Sequence, residues 1–345
     1  MDTIKINAKE RPYNVYFDNS FSNFIKLCEE FEIINSKLVI IFDYNAYRFH
    51  GIKFFDALLE KGIDVKKYVI KSSEKIKTLN TVHKIYEFLY EINADRNTVI
   101  ISFGGGIIGD VAGFVASTYK RGLKFIQVPT TLLACVDSSI GGKVGVNFKD
   151  KKNLVGSFYN PMFVYINAKV LETLNIREYN CGMVEIIKHA LLLDEELFSK
   201  IESGNYDIMD IIKRSCEIKA SIVTKDEKEN SIRVILNLGH TIGHAIESLS
   251  DFKISHGEAV AQGILHSLEV SKKMGKMDEQ QIKRIEKVFD NIGVLPQVKE
   301  EVNYDKIKEY IGYDKKIRDG ILQYVLLNQI GSYEILQIKD INVLF

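Results

Sequence analysis

The chain has no excess charge of either sign: forty-six basic residues balance forty-six acidic ones. No long-range field is left to hold a nucleic-acid backbone or an anionic membrane, although a local basic pocket remains open. Cysteine is scarce. Cys28, Cys135, Cys181 and Cys216 lie far apart and form no C-x-x-C pair, so neither a disulfide framework nor a cysteine zinc site is expected. The opening Met1-Asp2-Thr3-Ile4-Lys5-Ile6-Asn7 lacks the basic and apolar regions of a secretory signal. Long apolar runs are missing too. The longest candidate, Ile107 to Ser117, is broken by Gly109, Asp110 and Gly113 and falls short of a bilayer span. The expectation is a soluble, cytoplasmic protein with no nucleic-acid or membrane partner.

What is present suits an ordinary globular chain. Its 345 residues are 46% hydrophobic and 27% charged, enough to build a sizeable core and consistent with two domains. β-Branched runs at Lys37–Phe42, Val65–Ile70, Thr98–Phe103, Lys124–Val128 and Phe163–Ile166 read as strands. Amphipathic stretches such as Asn45–Leu59 and Leu79–Ile92 lie between them, and this alternation predicts a parallel sheet flanked by helices. After Thr173 the pattern becomes helical, over Glu178–Leu193, Tyr206–Thr224, Thr241–Leu249, His256–Met274 and Glu279–Asn291. Two strands return at Leu322–Gln329 and Tyr333–Ile338. The predicted class is α/β: a Rossmann-like nucleotide-binding domain over 1–174, then a mainly helical metal- and substrate-binding domain over 175–345.

Three features carry chemistry. The strand at Thr98–Phe103 runs into Gly104-Gly105-Gly106-Ile107-Ile108-Gly109-Asp110. Glycines there let backbone approach a ligand, and the helix that follows offers unpaired N–H groups to phosphate. The spacing is not the G-x-G-x-x-G of an ordinary dinucleotide fingerprint, and a ligand-free tight turn would also explain it. Second, Asn237-Leu238-Gly239-His240-Thr241-Ile242-Gly243-His244 precedes His256-Gly257-Glu258. His240 and His244 share a helical face, and two imidazoles with one carboxylate make a catalytic zinc set. Residue types leave open which two histidines bind, or whether any do. Thr241 stands where a zinc protease's H-E-x-x-H would need Glu. Third, basic residues occupy interior-looking positions: Lys143 in a glycine turn, Lys188 one turn after Glu185, Lys219 and Arg233. Together they suggest a pocket for an anion with more than one charged group.

The longer motifs are distinctive. Gly104-Gly105-Gly106-Ile107-Ile108-Gly109-Asp110, Ser117-Thr118-Tyr119-Lys120-Arg121-Gly122, Gln127-Val128-Pro129-Thr130-Thr131-Leu132-Leu133 and Val136-Asp137-Ser138-Ser139-Ile140-Gly141-Gly142-Lys143 follow one another in order. Lys152-Asn153-Leu154, Gly182-Met183-Val184-Glu185-Ile186-Ile187-Lys188, the histidine run and His256-Gly257-Glu258-Ala259-Val260 continue the series. From about Asp43 to Gly331 the chain resembles the 3-dehydroquinate synthases. The segment from Glu185 to His240 looks shorter than in many relatives, and His189-Ala190-Leu191-Leu192 replaces a more polar run.

The resemblance implies conversion of a heptulosonate phosphate into a carbocycle by a homodimer, with NAD as a recycled cofactor. It implies a divalent metal, zinc or alternatively cobalt, on Glu185, His240 and His256. NAD would lie along Asp43, Glu74, Lys77, Gly105, Gly106, Ile107, Asp110, Thr130, Thr131, Leu133, Lys152 and Thr173. Asp137, Lys143, Asn153, Lys188, Lys219, Arg233, Asn237 and His244 would line the small phosphorylated sugar-acid substrate. Arg121 resembles a residue lent by the neighbouring subunit, and Asp314-Lys315-Lys316 resembles an element in which Lys315 or Lys316 binds phosphate. Two rival functions share these features: another sugar-phosphate cyclase, and a metal-dependent polyol dehydrogenase that would release NADH.

Overall fold

Leu38–Asp43 reads Leu-Val-Ile-Ile-Phe-Asp and is buried along its whole length, as befits a strand covered on both faces. The computed structural model describes residues 1–149, 151–250, 253–294, 304–312, 317–318 and 321–345. The chain divides into two units, Met1–Asn175 with Lys219–Lys228, and Ile176–Ile218 with Glu229–Phe345.

The first unit holds strands β1 (Asp2–Ile6), β2 (Tyr13–Asp18), β3 (Leu38–Asp43), β4 (Val65–Ile70), β5 (Val99–Gly104), β6 (Lys124–Pro129), β7 (Lys143–Phe148), β8 (Lys151–Phe158) and β9 (Phe163–Asn167). Its helices are α1 (Ser22–Glu30), α2 (Tyr44–Ala46), α3 (Ile52–Glu60), α4 (Leu79–Glu91) and α5 (Gly106–Thr118). Seven strands form one sheet in the order β1-β2-β9-β6-β5-β3-β4. All neighbours are parallel except β1 against β2. The expected parallel sheet is present, with one antiparallel strand added at its edge. Alternation along β3 sends Leu38, Ile40 and Phe42 to a core with α1 and α3, and Val39 and Ile41 to one with α4 and α5.

The strand order places a reversal between β3 and β5. From β3 the chain moves outward to β4, then crosses back to β5 on the other side. Parallel sheets of this kind bind ligands beyond the carboxyl ends of the strands at such a reversal. Asp43 ends β3, Gly104 ends β5, and Gly104 pairs with Pro129 at the end of β6. Lys143, expected in a glycine turn, instead opens a strand, and the segment from Lys143 to Phe158 is not among the expected strands. It is an antiparallel hairpin, β7 against β8, with Gly145 opposite Gly156.

The second unit is mainly helical: α6 (Ile176–Leu193), α7 (Glu195–Ser203), the first part of α8 (Ile208–Lys225), α9 (His240–Leu249), α10 (His256–Lys273), α11 (Glu279–Asn291) and α12 (Tyr304–Gly312). Side-chain caps explain several starts. Asp194 accepts from the Leu197 N–H and Asp278 from the Gln281 N–H. A small antiparallel sheet adds β10 (Ile317–Arg318) to the expected hairpin of β11 (Ile321–Gln329) and β12 (Ser332–Ile338). Among the described residues no helix is long and apolar enough to cross a membrane.

Candidate functional site

In the second unit, two helices begin on histidine: His240 opens α9 and His256 opens α10. Gly239, at φ +76, turns the chain into α9, and α10 packs against it at Gly263. A Cβ on Gly263 would lie 1.8 Å from the Gly239 carbonyl oxygen, and one on Gly257 would lie 2.4 Å from the Cα of Cys181 on α6. Missing side chains at these crossings let three helices meet beside their functional residues. Ser255 and Glu258 form a capping box that fixes the first turn of α10.

The ligand atoms of Glu185, His240 and His256 lie within 4.8 Å of one another. His240 Nε2 is 3.8 Å, and His256 Nε2 3.6 Å, from Glu185 Oε1. Glu185 is fully buried, and neither carboxylate oxygen accepts a well-formed hydrogen bond, although Lys188 Nζ lies against Oε2. Lys188 pairs with Oε2, but Oε1, which faces both imidazoles, has no hydrogen-bond donor, and a buried carboxylate oxygen left so is costly unless a cation completes it. His240 Nδ1 lies 3.1 Å from the Leu238 carbonyl oxygen, which can only accept. The ring proton of a neutral His240 therefore sits on Nδ1, leaving the Nε2 lone pair on the side of Glu185. His256 presents Nδ1 to Glu247 Oε2 at 3.6 Å, a carboxylate placed where metal-binding imidazoles are commonly oriented. Two imidazole nitrogens and one carboxylate are the donor set of a catalytic zinc site, so these residues fit the metal.

The electrostatics agree with the geometry. Burial alone would raise the Glu185 carboxyl, but the Lys188 ammonium and both imidazoles outweigh it and hold it well below the usual range. Burial also opposes charge on His256, while Glu185 and Glu247 raise it to about 9. His244 stands alongside, its ring centroid 5.2 Å from that of His240 and 6.1 Å from that of His256. Arg233 is buried in the turn Ile232–Asn237, and Asn237 Nδ2 donates to Glu229 Oε1 at 3.3 Å. Glu258, the carboxylate nearest the histidines in sequence, is engaged by Arg177 as well as by the helix cap.

In the first unit the expected cofactor residues gather at the carboxyl edge of the sheet. Asp43 Oδ1 accepts from the N–H groups of Asn45 and Ala46, and Oδ2 from the Ser72 hydroxyl. Gly105 precedes α5, whose first turn leaves N–H groups without helical acceptors. A Cβ on Gly105 would lie 2.9 Å from Thr131 Cγ2, and one on Gly106 2.9 Å from Ser138 Oγ. Lys77 Nζ donates to Asp110 and to Asn153 Oδ1. Burial raises the Asp110 carboxyl and Lys77 works against that rise. Lys152 Nζ lies 3.9 Å from Glu74 Oε1, and Thr173 Oγ1 lies 2.7 Å from His50 Nε2. Lys219 Nζ donates to the Asp137 carbonyl oxygen at 2.5 Å and to its carboxylate.

Three of the four interior-looking bases are buried: Lys188, Lys219 and Arg233. Lys143 is not, because it heads β7 with its side chain exposed. Arg121 is exposed too, and it and Lys120 hold left-handed backbone at φ 68 and 52. Non-glycine residues in that region carry strain, which collects at functional sites. Lys315 and Lys316 lie outside the described residues. Glu247 escaped the sequence reading although it follows His240 by two helical turns on the same face. Asn147 left no sequence signal.

Comparison with known proteins decides the family. The N-terminal 3-dehydroquinate synthase model matches residues 67–181 and the C-terminal model residues 182–317. A 3-dehydroquinate synthase of Thermoanaerobacter pseudethanolicus is 43% identical, covering 100% of this chain and 99% of its own. The chain belongs to the 3-dehydroquinate synthase family. Solved structures extend the likeness to other 3-dehydroquinate-synthase-like enzymes. A 2-deoxy-scyllo-inosose synthase, complexed with carbaglucose-6-phosphate, NAD+ and Co2+, is 28% identical with a TM-score of 0.85 over 98% of this chain and 96% of its own. The 2-epi-5-epi-valiolone synthase of Streptomyces hygroscopicus, with NAD+ and Zn2+ bound, shares the fold at 23% identity, with a TM-score of 0.89 over 97% and 95%. The family's fold, a Rossmann-like unit followed by a mainly helical one, is the one described above.

Proposed function

We propose that this chain converts 3-deoxy-D-arabino-heptulosonate 7-phosphate into 3-dehydroquinate and phosphate, as a carbon–oxygen lyase that oxidises and re-reduces its substrate within one turnover. The observation that carries the reading is the Glu185–His240–His256 group, two imidazoles converging on a buried carboxylate oxygen that has no hydrogen-bond donor, in a member of this family. When bound, the metal supplies Lewis acidity toward adjacent substrate hydroxyls and NAD supplies a reversible hydride acceptor.

The chain's own residues supply the rest. Asp43, Gly105, Gly106, Ile107, Asp110, Thr130, Thr131 and Leu133, with Glu74, Lys77, Lys152 and Thr173, are assigned to NAD. Support comes from the sheet reversal and the unpaired N–H groups of α5. Arg233 has a planar fork that matches a carboxylate, and Lys219 adds a second cation. Lys143, Asn153, Asn237 and Arg121 are assigned to the phosphate, where fixed donors stabilise the departing dianion after the adjacent C–H loses its proton. Lys188, Asp137 and His244 are the polar groups assigned to substrate hydroxyls and proton movement. The strained backbone at Lys120 and Arg121 supports lending Arg121 to a second subunit of a homodimer.

The test is phosphate release from the heptulosonate phosphate with catalytic NAD. Many phosphates per NAD, with no NADH accumulating, is the expected result. Stoichiometric NADH would establish a dehydrogenase, and absence of phosphate release would end the proposal.

A further inference from the structure

Asn153 adopts φ +50 on strand β8 without being glycine. Its N–H donates to Asn147 Oδ1 at 2.9 Å, and its own Oδ1 accepts from Lys77 Nζ. Asn147 is joined to the other side as well. Its Nδ2 donates to Glu74 Oε1 at 2.7 Å, and its backbone N–H donates to the Lys77 carbonyl oxygen at 2.8 Å. The hairpin makes this possible. Its register shifts between Val146 and Phe148, so Asn147 leaves the β7–β8 ladder and bridges Thr78 instead.

Donor chemistry fixes the direction of both amides. An ammonium and a backbone N–H can only donate, so Asn153 turns its oxygen to Lys77 and Asn147 turns its oxygen to Asn153. Asn147 is then left with its NH2 toward Glu74, and Asn153 with its NH2 directed away from the Lys77 ammonium. Asparagine tolerates the left-handed region better than most residues, and a hydrogen bond to its backbone N–H helps hold that pose. Asn147 supplies that bond.

We infer that Asn147 is a positioning residue: it holds Glu74 and Lys77 on the cofactor side and fixes the left-handed pose in which Asn153 offers its amide N–H to the substrate's phosphate. This role rests on the function proposed above. A hairpin residue with a purely structural duty would have no reason to join three residues, Glu74, Lys77 and Asn153, all assigned to ligands.

Two variants of the full-length, zinc-loaded enzyme separate the two arms. Asn147→Ala removes both, and the expected result is about a tenfold rise in KM for the heptulosonate phosphate and in the Kd for NAD, from the loss of one hydrogen bond on each arm, neutral to Asn153 and charge-assisted to Glu74. Asn147→Asp has the same shape. It keeps an acceptor for the Asn153 N–H but loses the donor to Glu74 and sets a second carboxylate against it. Its KM should return to within about threefold of wild type while its NAD Kd stays raised about tenfold. That split is the decisive readout, since a structural role would move both constants together with Tm. Wild-type constants in both variants, or parallel shifts tracking Tm in Asn147→Asp, overturn the role. If Asn147→Ala fails to fold, the Asn147→Asp split decides alone. A wild-type enzyme that neither binds NAD nor releases phosphate overturns the proposed function and this role with it, whereas a working wild type matched by both variants overturns only the role.

Discussion

Gly263→Ala adds one methyl group where α10 crosses the start of α9. The new Cβ would lie 1.8 Å from the Gly239 carbonyl oxygen, and ordinary contact begins near 3.4 Å, so the helices must part by about 1.6 Å. The obstacle is backbone, not the end of a flexible side chain, so rotamer changes cannot relieve it. Overpacking of this kind costs about 1–3 kcal/mol, and more when the obstacle cannot move. For a unit of this size that lowers Tm by roughly 3–10 °C. The larger consequence falls on His240, the next residue after Gly239. Metal–ligand distances tolerate about 0.2 Å, so even a fraction of the displacement removes the ring from its position toward Glu185. Zinc affinity should therefore fall about 10- to 100-fold, beyond what the loss of stability explains. The assay is competition with a chromogenic chelator, alongside thermal melts with and without zinc. The metal-induced rise in Tm expected for wild type should vanish in Gly263→Ala. A folded variant with wild-type zinc affinity would refute the claim that glycine-mediated helix crossing builds the site.

Other outcomes follow from the same geometry. Glu185→Gln keeps the shape but removes the charge, and should abolish zinc binding and phosphate release; full activity in this variant, or in chelated protein, would dismiss the metal assignment. Lys77→Met leaves the half-buried Asp110 without its ammonium and should lower unfolding free energy by about 2 kcal/mol; adding Asp110→Asn should recover most of it in urea denaturation. Burial pushes the His266 imidazole down to about 4, from 6.5 when unfolded, so the unfolded chain takes up a proton that the native chain refuses. Stability present above pH 6.5 is then lost as pH falls toward 4, roughly 2 kcal/mol of it by pH 5. His266→Gln should lose that much less between pH 7 and pH 5, and equal losses would contradict the assignment. Mixing Arg121→Ala with Glu185→Ala subunits, each inactive alone, should restore about a quarter of wild-type activity if Arg121 serves the partner's site; no recovery after verified exchange would place Arg121 in its own chain's service.

Legibility in the sequence followed burial. The strands β3, β5, β6 and β9 are buried on both faces, so their runs of β-branched residues need no context to be read. Helix α11 has a polar face, a buried stripe and the Asp278 cap, and its ends were legible as Glu279–Asn291. The β7–β8 hairpin was not legible, because Gly145 and Gly156 are poor strand formers on their own. Paired with each other in the hairpin, they stand where only glycine fits, because a Cβ would strike the opposite backbone, at 2.7 Å from Val155 O for Gly145 and 2.3 Å from Val144 O for Gly156.

The site divides along the same line. The sequence by itself determined which chemistry was available: the glycine run ahead of α5, the paired histidines, and the ordered motifs that mark the family. Residue types and spacing alone could not determine which carboxylate faces those histidines; only the family resemblance named Glu185. Glu258 lies two residues from His256, yet Arg177 and the helix cap engage it, while the distant Glu185 is brought in by the packing of α6 against α10. Nor could the sequence show that Asn147 links Glu74 to Asn153, since that link depends on a register shift in a hairpin. Local pattern reports what each residue does to its own backbone, but only close packing decides which buried charges must answer one another.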